Sequence, residues 1–329
     1  MCIQILFLLV LTGSAVLFLW NGLQDLPTHL IIPIPILLGL PYLFTWLCVT
    51  DTAHHITPLN HSSRLRDYPF DHTLFYPGIT CSTCQLEKPA RSKHCSLCGT
   101  CIAMCDHHCP WINNCVGRGN YRYFLALLLS LGILEIYGAY LCYWILSPYL
   151  ATHDTNAFFT KVHFNDLIRR IVIAVNIGGL SIAGVGMLAT ATAALPLGLL
   201  AYHCYLIWAG MTTNESSKWA DLRDDMADGL AFKGNREALN THNRLRKYDR
   251  GGGEYANGHA NPALYQNEVG EEVYVSWPVS SDQIVTRTTD GRSPFAQEGL
   301  WERVWNLADV VNIYDLGGWD NFMEIMKGR

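Results

Sequence analysis

One short stretch of this chain concentrates the side chains that bind metals or act as nucleophiles. Eight of the twelve cysteines fall within residues 81–115, together with three histidines. A tetrahedral zinc site takes four such ligands, so two zinc ions would use eight of these eleven groups and leave three for a reactive role. The eleven candidates are Cys81, Cys84, His94, Cys95, Cys98, Cys101, Cys105, His107, His108, Cys109 and Cys115.

Spacing separates metal ligands from reactive groups. The pairs Cys81-x2-Cys84 and Cys95-x2-Cys98 have zinc-knuckle spacing, and each needs two more ligands from further along the chain. Asp106, His107 and Cys109 instead lie together in one short turn. An imidazole that accepts a thiol proton, beside a carboxylate that fixes its tautomer, is the composition of an activated nucleophile.

The composition of the whole chain is that of a membrane protein. Of 329 residues, 50% are hydrophobic and only 16% are charged, which predicts membrane-spanning segments. The formal net charge of −5 argues against nucleic-acid binding, because a phosphate-binding domain is normally basic.

Four apolar runs, at 3–20, 29–50, 124–146 and 171–209, predict four transmembrane helices. No basic residue precedes the first run, so we favour a span over a cleaved signal peptide. The last run is long for one span and short for two, and we expect one span with an extension. Glu135 lies inside the third run, where we expect a hydrogen bond between helices.

Positive charge predicts the topology. Seven Lys and Arg residues lie in 51–122 and thirteen lie from 210 onwards, whereas the connections 21–28 and 147–170 carry none and three. By the positive-inside tendency, the cysteine-rich loop and both termini are cytosolic. The cytosol keeps thiols reduced, which favours zinc ligands and a nucleophile over a disulfide framework.

Residues 81–124 resemble the cysteine-rich domain of the DHHC protein S-acyltransferases. The resemblance includes the Lys88-Pro89-Ala90-Arg91 segment and the later Asn120 and Phe124. It implies an α-helical polytopic membrane protein with four transmembrane helices and a cytosolic zinc-bound cysteine-rich domain between spans 2 and 3. It also implies two structural zinc ions, one held by Cys81, Cys84, His94 and Cys101 and the other by Cys95, Cys98, His108 and Cys115.

The resemblance further implies a reaction. A long-chain fatty acyl group, palmitoyl, would pass from acyl-CoA to cysteines of membrane proteins through Cys109, with His107 as acid and base and Asp106 orienting it. Cys105 matches no ligand of the family and is expected to be a bystander. A non-catalytic, membrane-anchored zinc adaptor is the alternative function. Candidate cations for the CoA phosphates are Arg91, Lys93, Arg118 and Arg122.

Two motifs after the last span extend the resemblance. Thr212-Thr213-Asn214-Glu215 is similar to the family's Thr-Thr-x-Glu motif, which implies that Thr212, Thr213 and Glu215 lie against the catalytic region; local helix capping is the alternative role. The segment 312–317, which contains Asn312 and Tyr314 and is followed by Asn321, resembles the aromatic C-terminal motif that docks onto the membrane domain. Together they are most similar to the fungal endoplasmic-reticulum branch that acylates SNARE proteins. This implies an endoplasmic-reticulum or Golgi membrane and SNARE-like substrates with juxtamembrane cysteines.

The sequence thus divides into a transmembrane hairpin at 1–50, a zinc domain at 51–123, spans 3 and 4 at 124–209 with a luminal loop at 147–170, and a cytosolic tail at 210–329. In the tail we expect residues 235–295 to be loosely ordered, with a strand pair around Val273–Val285. Apolar residues at helical spacing within 295–309 predict a helix, either on the membrane surface or facing a core. They are Leu300, Trp301, Val304, Trp305 and Ala308.

Overall fold

In the computed structural model of this chain, the described residues are 2–150, 164–249, 275, 277–294 and 299–328. Most of them are helical, and the strands are short. The helices are α1 Cys2–Gly22, α2 Thr28–Ile31, α3 Ile34–Thr50, α4 His61–Leu65, α5 Tyr121–Leu150, α6 Phe164–Gly178, α7 Leu180–Thr192, α8 Ala194–Trp208, α9 Thr213–Ala227, α10 Arg236–Asp249 and α11 Gly318–Lys327. The strands are β1 His55–Ile56, β2 Lys93–Cys95, β3 Thr100–Ile102, β4 His107–Cys109, β5 Asn114–Val116, β6 Ala231–Asn235, β7 Gln283–Arg287 and β8 Trp301–Arg303.

Four helical segments in the described ranges are long and apolar enough to cross a membrane, as the sequence predicts. The last one, Leu180–Trp208, is a single span made of α7 and α8. The separate helix α6 precedes it, and Gly179 between them has a φ of +96° that favours glycine. The other three are Cys2–Asp25, Thr28–Thr50 and Tyr121–Leu150.

The connection between the third and fourth spans differs from the predicted 147–170, because the third span ends at Leu150 and the fourth begins at Leu180. Helix α5 continues to Leu150 and α6 begins at Phe164, while residues 151–163 lie outside the described part of the chain. The run of apolar residues in the sequence stops at 146, but α5 continues for one more turn, to Leu150.

The chain forms two compact units, and the first, here called the membrane unit, contains residues 1–50, 109–114 and 122–202. Apolar side chains of α1, α2, α3, α5 and α7 make its buried cluster. The outer faces of the spans leave large apolar residues exposed, among them Leu9 and Trp20, as expected for lipid-facing surfaces. The buried cluster consists of Phe18, Leu26, Leu30, Ile34, Leu141, Cys142, Ile145 and Ile182.

The second unit, here called the zinc–tail unit, contains residues 51–108, 115–121 and 203–329. It holds a three-stranded sheet in the order β1-β3-β2 and another in the order β7-β6-β8. Helix α9 packs on the second sheet around buried Leu222 and Met226, joined by Ala231 and Val285. The remaining strands β4 and β5 pair with each other.

Two predictions for the tail are wrong. Part of the stretch expected to be loosely ordered, 235–295, forms helix α10. Strand β7 forms near the expected strand pair and pairs with β6, while residues 273, 274 and 276 of that prediction lie outside the described part. The helix predicted at 295–309 is instead strand β8 followed by a 3-10 turn at Leu307–Asp309, with 295–298 not described. The free edge of β6 explains the difference, because pairing there satisfies backbone groups that helical spacing cannot reveal.

Candidate active site

The first group of metal-type ligands brings together Cys81, Cys84, His94 and Cys101. The His94 Nδ1 atom lies 3.5 Å from the Cys81 Sγ, 3.4 Å from the Cys84 Sγ and 3.9 Å from the Cys101 Sγ. Zinc bond lengths of about 2.3 Å to sulfur and 2.0 Å to nitrogen give tetrahedral S···N edges of roughly 3.5 Å. The group therefore fits zinc.

The second group is Cys95, Cys98, His108 and Cys115. The His108 Nδ1 atom lies 3.6, 3.4 and 3.7 Å from the three sulfurs in that order, and the Cys98 and Cys115 sulfurs are 3.6 Å apart. This group fits zinc equally well. All twelve cysteines lie in the described ranges, and none of them forms a disulfide.

The two cysteine pairs have the same local backbone. In each, the second cysteine N–H points at the first cysteine sulfur, at 3.5 Å for Cys84 and 3.4 Å for Cys98. The residue that follows each pair, Gln85 or Gly99, has a left-handed φ of +55° or +70°. This repeated turn aims two thiols at one point and explains why the x2 spacing is typical of zinc sites.

Asp106 immediately precedes β4 and is buried, with 2% of its surface exposed. Its Oδ2 accepts a hydrogen bond of 2.7 Å from the His107 Nδ1, and its Oδ1 accepts one of 2.8 Å from the Thr213 N–H. Burial alone would raise the pKa of the Asp106 carboxyl, but the hydrogen bond from His107 and the nearby His203 hold this pKa below its ordinary value. The carboxylate fixes the His107 tautomer and leaves Nε2 as the basic nitrogen.

Cys109 ends the same strand. Residues 107 and 109 alternate with His108 along β4, so their side chains share one face. Within the membrane unit, Cys109 lines a cavity of about 550 Å³, a volume typical of small-molecule sites. Asn114 in the same unit donates to the Cys48 carbonyl at 3.0 Å, which ties the segment that carries Cys109 to the end of α3.

The wall of this cavity is almost entirely hydrocarbon. Helices α1, α3, α5, α7 and α8 all contribute. One polar contact within it is the hydrogen bond from Thr192 to the Glu135 carboxylate, at 3.1 Å, which confirms the helix–helix bond expected for Glu135. The lining residues whose side chains carry a polar group are Ser14, Cys109, Trp111, Glu135, Tyr137 and Thr192.

The Thr-Thr-x-Glu segment caps α9 and also contacts the turn that carries Asp106. Thr212 and Glu215 form a capping box at the start of this helix. The Thr212 hydroxyl also donates to the Cys105 carbonyl at 3.2 Å, and the Thr213 N–H donates to Asp106. The helix start therefore holds the Asp106 carboxylate in place.

Glu215 has a second partner from the cysteine-rich segment. Its two carboxylate oxygens accept from the Arg91 Nε and terminal nitrogen at 2.7 and 2.6 Å, and both residues are buried. The Arg91 guanidinium also lies 5.0 Å from the Tyr68 ring centre and 4.7 Å from that of Tyr314. Burial alone would lower the pKa of Arg91, but the Glu215 carboxylate outweighs it and raises this pKa.

The C-terminal aromatic segment belongs to the same cluster. Tyr314 is 3% exposed and its hydroxyl donates to the Pro69 carbonyl at 2.7 Å. Asn312 accepts from the Tyr314 N–H at 3.1 Å and so shapes the turn that presents the ring. Both predicted supporting residues thus lie in the zinc–tail unit, where the Tyr314 ring covers Arg91.

Comparison with known proteins identifies the family. A model of the DHHC palmitoyltransferase family matches residues 75–220. The chain is 37% identical to palmitoyltransferase swf1 of Aspergillus fumigatus, over 98% of this chain and 85% of that protein. It is 36% identical to palmitoyltransferase SWF1 of Neurospora crassa, over 87% of this chain and 65% of that protein, and 36% identical to swf1 of Emericella nidulans, over 89% and 70%.

The chain belongs to the DHHC palmitoyltransferase family. It is a protein S-palmitoyltransferase and a multi-pass membrane protein, with its zinc-type cysteine cluster between spans 2 and 3.

The structure of this DHHC palmitoyltransferase alters the expectation for the CoA phosphates. Arg91 is buried against Glu215, so it is not a free cation for a ligand, and that prediction is wrong. The Arg118 guanidinium is 2.8 Å from the Asp67 carboxylate, and Arg122 packs on the Tyr123 ring. Lys93 is exposed on β2 and stays a candidate.

Sequence reasoning missed two residues beside Asp106 in this palmitoyltransferase. His203 on α8 lies with its Nδ1 3.9 Å from the Asp106 Oδ2, and the Tyr121 hydroxyl lies 2.7 Å from the same nitrogen. Neither residue belongs to a spaced motif. The signal that could have found His203 was an ionisable residue inside an apolar run, which in a membrane protein points to function.

Proposed function

We propose that this palmitoyltransferase works by a two-step acyl transfer in which Cys109 carries the acyl group, His107 moves protons and Asp106 orients His107. One observation supports the proposal above all others: Cys109 lines a hydrocarbon cavity of about 550 Å³ and shares a strand face with an imidazole held by a buried carboxylate. An adaptor would need neither the cavity nor the oriented imidazole.

In the first step, the His107 Nε2 takes the proton from the Cys109 thiol. The thiolate attacks the carbonyl carbon of a long-chain acyl-CoA. The bond from that carbon to the CoA sulfur breaks, a new thioester to the Cys109 Sγ forms, and the CoA thiolate leaves with the proton from His107.

In the second step, a cysteine of the protein substrate gives its proton to His107 and attacks the acyl-enzyme thioester. The Cys109 thiolate leaves and is protonated again by His107. One thioester replaces another in each step, so the enzyme contributes mainly position and proton transfer.

The cavity in the membrane unit would hold the acyl chain. Each buried methylene contributes about 0.8 kcal/mol, so a wall made of apolar side chains binds a long chain well. The cavity also keeps water from the part of the chain inside it, and only the thioester needs to meet polar groups.

The two ligand groups would each bind one structural zinc ion. Both have four protein ligands, which leaves no open coordination position for substrate. Zinc in these positions would fold a segment that has little core of its own.

We further propose acyl-CoA as the co-substrate and membrane proteins with juxtamembrane cysteines, of the SNARE type, as acceptors in the endoplasmic-reticulum membrane. The similarity to fungal palmitoyltransferases supports the acyl donor and the membrane. The motif resemblance to the branch that acylates SNARE proteins supports the acceptor, and the charge asymmetry of the loops supports a cytosolic Cys109.

Acyl-enzyme formation tests the proposal. Purified wild-type protein, Cys109→Ser and Cys105→Ser are incubated with labelled palmitoyl-CoA, and bound zinc is counted in each. We expect hydroxylamine-labile label on wild type and Cys105→Ser, none on Cys109→Ser, and about two zinc ions in all three. Equal labelling of Cys109→Ser would assign the acyl group to another cysteine, and no label on wild type with full zinc would favour the adaptor.

A further inference from the structure

His203 is an imidazole inside a membrane-spanning helix that the proposed two-step mechanism does not use. It lies on α8, is 1% exposed, and its ring centre is 5.7 Å from that of His107. An apolar residue would fill the same place without the cost of burying a polar ring. Its neighbours in the zinc–tail unit are therefore the reason to ask what it does.

Tyr121 connects His203 to the catalytic carboxylate. This residue opens α5, is 1% exposed, and its hydroxyl is 2.7 Å from the His203 Nδ1. The same His203 nitrogen is 3.9 Å from the Asp106 Oδ2, and the Tyr121 hydroxyl is close enough to hydrogen-bond that carboxylate. The phenol, the imidazole and the carboxylate thus form one buried cluster.

The direction of these hydrogen bonds follows from the acceptor at one end. The Asp106 carboxylate already accepts from the His107 Nδ1 and the Thr213 N–H, and an ionised carboxylate only accepts. Tyr121 therefore donates its single hydroxyl hydrogen to Asp106. Its oxygen then accepts from the His203 Nδ1–H, which corresponds to the tautomer of His203 with its proton on Nδ1.

We propose that His203 and Tyr121 are positioning residues for catalysis: His203 orients the Tyr121 hydroxyl, Tyr121 holds the Asp106 carboxylate, and Asp106 holds the His107 ring. The proposal rests on the proposed roles of Asp106 and His107. Thr213 holds the Oδ1 of Asp106 from α9, and Tyr121 adds a constraint from the first turn of α5. With donors from two helices, the carboxylate cannot turn away when His107 becomes positively charged.

A purely structural role would predict something different. If Tyr121 and His203 only filled space, Tyr121→Phe would be nearly silent, because it removes one oxygen and keeps the ring. If they position Asp106, the same change frees the carboxylate and slows proton transfer, while the cavity and the zinc ligands stay intact.

The test is single-turnover acylation by labelled palmitoyl-CoA, measured for wild type, Tyr121→Phe, His203→Leu, His203→Asn and the double variant Tyr121→Phe/His203→Leu. Bound zinc and thermal stability are measured on every sample. Tyr140→Phe is the matched control, since this exposed residue lies on α5 and does not line the cavity.

We expect Tyr121→Phe and His203→Leu each to slow acylation by about a hundredfold, with an unchanged dependence on palmitoyl-CoA concentration and full zinc. The double variant should be no slower than the slower single variant, since both changes break one chain of bonds. His203→Asn should recover part of the rate, because its amide N–H can donate to Tyr121. Tyr140→Phe should match wild type.

Wild-type acylation by Tyr121→Phe would overturn the proposal, as would additive losses in the double variant or losses that follow zinc content. These outcomes differ from a failure of the proposed function. In that case wild type itself would not carry label on Cys109, and the positioning role of His203 would fall with it.

Discussion

Arg91 and Glu215 are 124 positions apart, yet they form a bidentate ion pair that is closed off from solvent. Both belong to motifs that the sequence had marked for other roles, a ligand cation and a helix cap. Two buried charges are tolerated only as a pair, because each alone would keep its full desolvation cost. The pair therefore joins the cysteine-rich segment to α9 within the zinc–tail unit.

Glu215→Gln should destabilise the protein strongly, because it leaves the Arg91 charge buried without a carboxylate. Loss of one partner of a buried pair costs about 3–5 kcal/mol, which would appear as a lower thermal midpoint. Asp224→Asn is the matched control, since its ion pair with Arg223 is exposed and contributes little. Equal midpoints for the two variants would contradict this interpretation of the pair.

The buried carboxyl of Asp71 should make the free energy of unfolding depend on pH. Burial raises the pKa of its carboxyl to about 6, despite backbone N–H bonds from Thr73, Leu74 and Phe75. Between the ordinary pKa and this raised value, the folded state keeps a proton on Asp71 that the unfolded state has released. The free energy of unfolding therefore falls as pH rises from about 4 to 6.

Asp71→Asn should remove this dependence. Above about pH 6 the variant should be more stable than wild type by up to about 3 kcal/mol, and the advantage should shrink as pH falls towards about 4. The measurement is the difference in the free energy of unfolding between variant and wild type at each pH. Exposed Asp290→Asn should show no such trend, and a constant difference for Asp71→Asn would reject the prediction.

At the scale of elements, the zinc ligands join hairpins that could not stand alone. Strands β2, β3, β4 and β5 have three residues each, and an isolated hairpin is marginal in water. The first ligand group combines the cysteine pair at 81–84 with His94 on β2 and Cys101 on β3. The second combines the cysteine pair at 95–98 with His108 on β4 and Cys115 on β5. Each zinc ion would therefore hold one pair of strands against one cysteine pair.

Cys98→Ala should lose one of two zinc ions per molecule, because a tetrahedral site with three protein ligands binds more weakly. Zinc is counted after dialysis, and limited proteolysis reports the order of β4 and β5. Cys105→Ala is the matched control, since this buried cysteine belongs to neither ligand group. Retention of two zinc ions by Cys98→Ala, or loss by Cys105→Ala, would show that the ligand set is wrong.

At the scale of the molecule, the chain passes repeatedly between the membrane unit and the zinc–tail unit. Residues 109–114 carry Cys109 into the membrane unit, where spans distant in sequence close around one cavity. No single span encodes that cavity. Ala189 on α7 lines it together with larger apolar residues of α1 and α5.

Ala189→Phe should shorten the acyl chain that the enzyme uses best, because the new ring fills space that methylene groups would occupy. Each methylene excluded costs about 0.8 kcal/mol. Acylation rates are compared across a series of saturated acyl-CoAs. Ala191→Phe is the matched control, because this exposed position on α7 does not line the cavity, and an equal shift in both variants would argue against the cavity as the chain site.

The sequence by itself determined the features that local spacing encodes: four apolar runs long enough to span a membrane, two cysteine pairs with knuckle spacing, and a thiol two residues from an imidazole. Only the tertiary structure decided which distant groups meet. It paired Arg91 with Glu215, turned the segment at 301–303 into a strand on the free edge of β6, and brought Tyr121 and His203 to Asp106. The physical reason is that spacing fixes which face of an element a residue occupies, whereas the partner of a buried charge, a strand edge or a polar ring is chosen by packing across the whole chain.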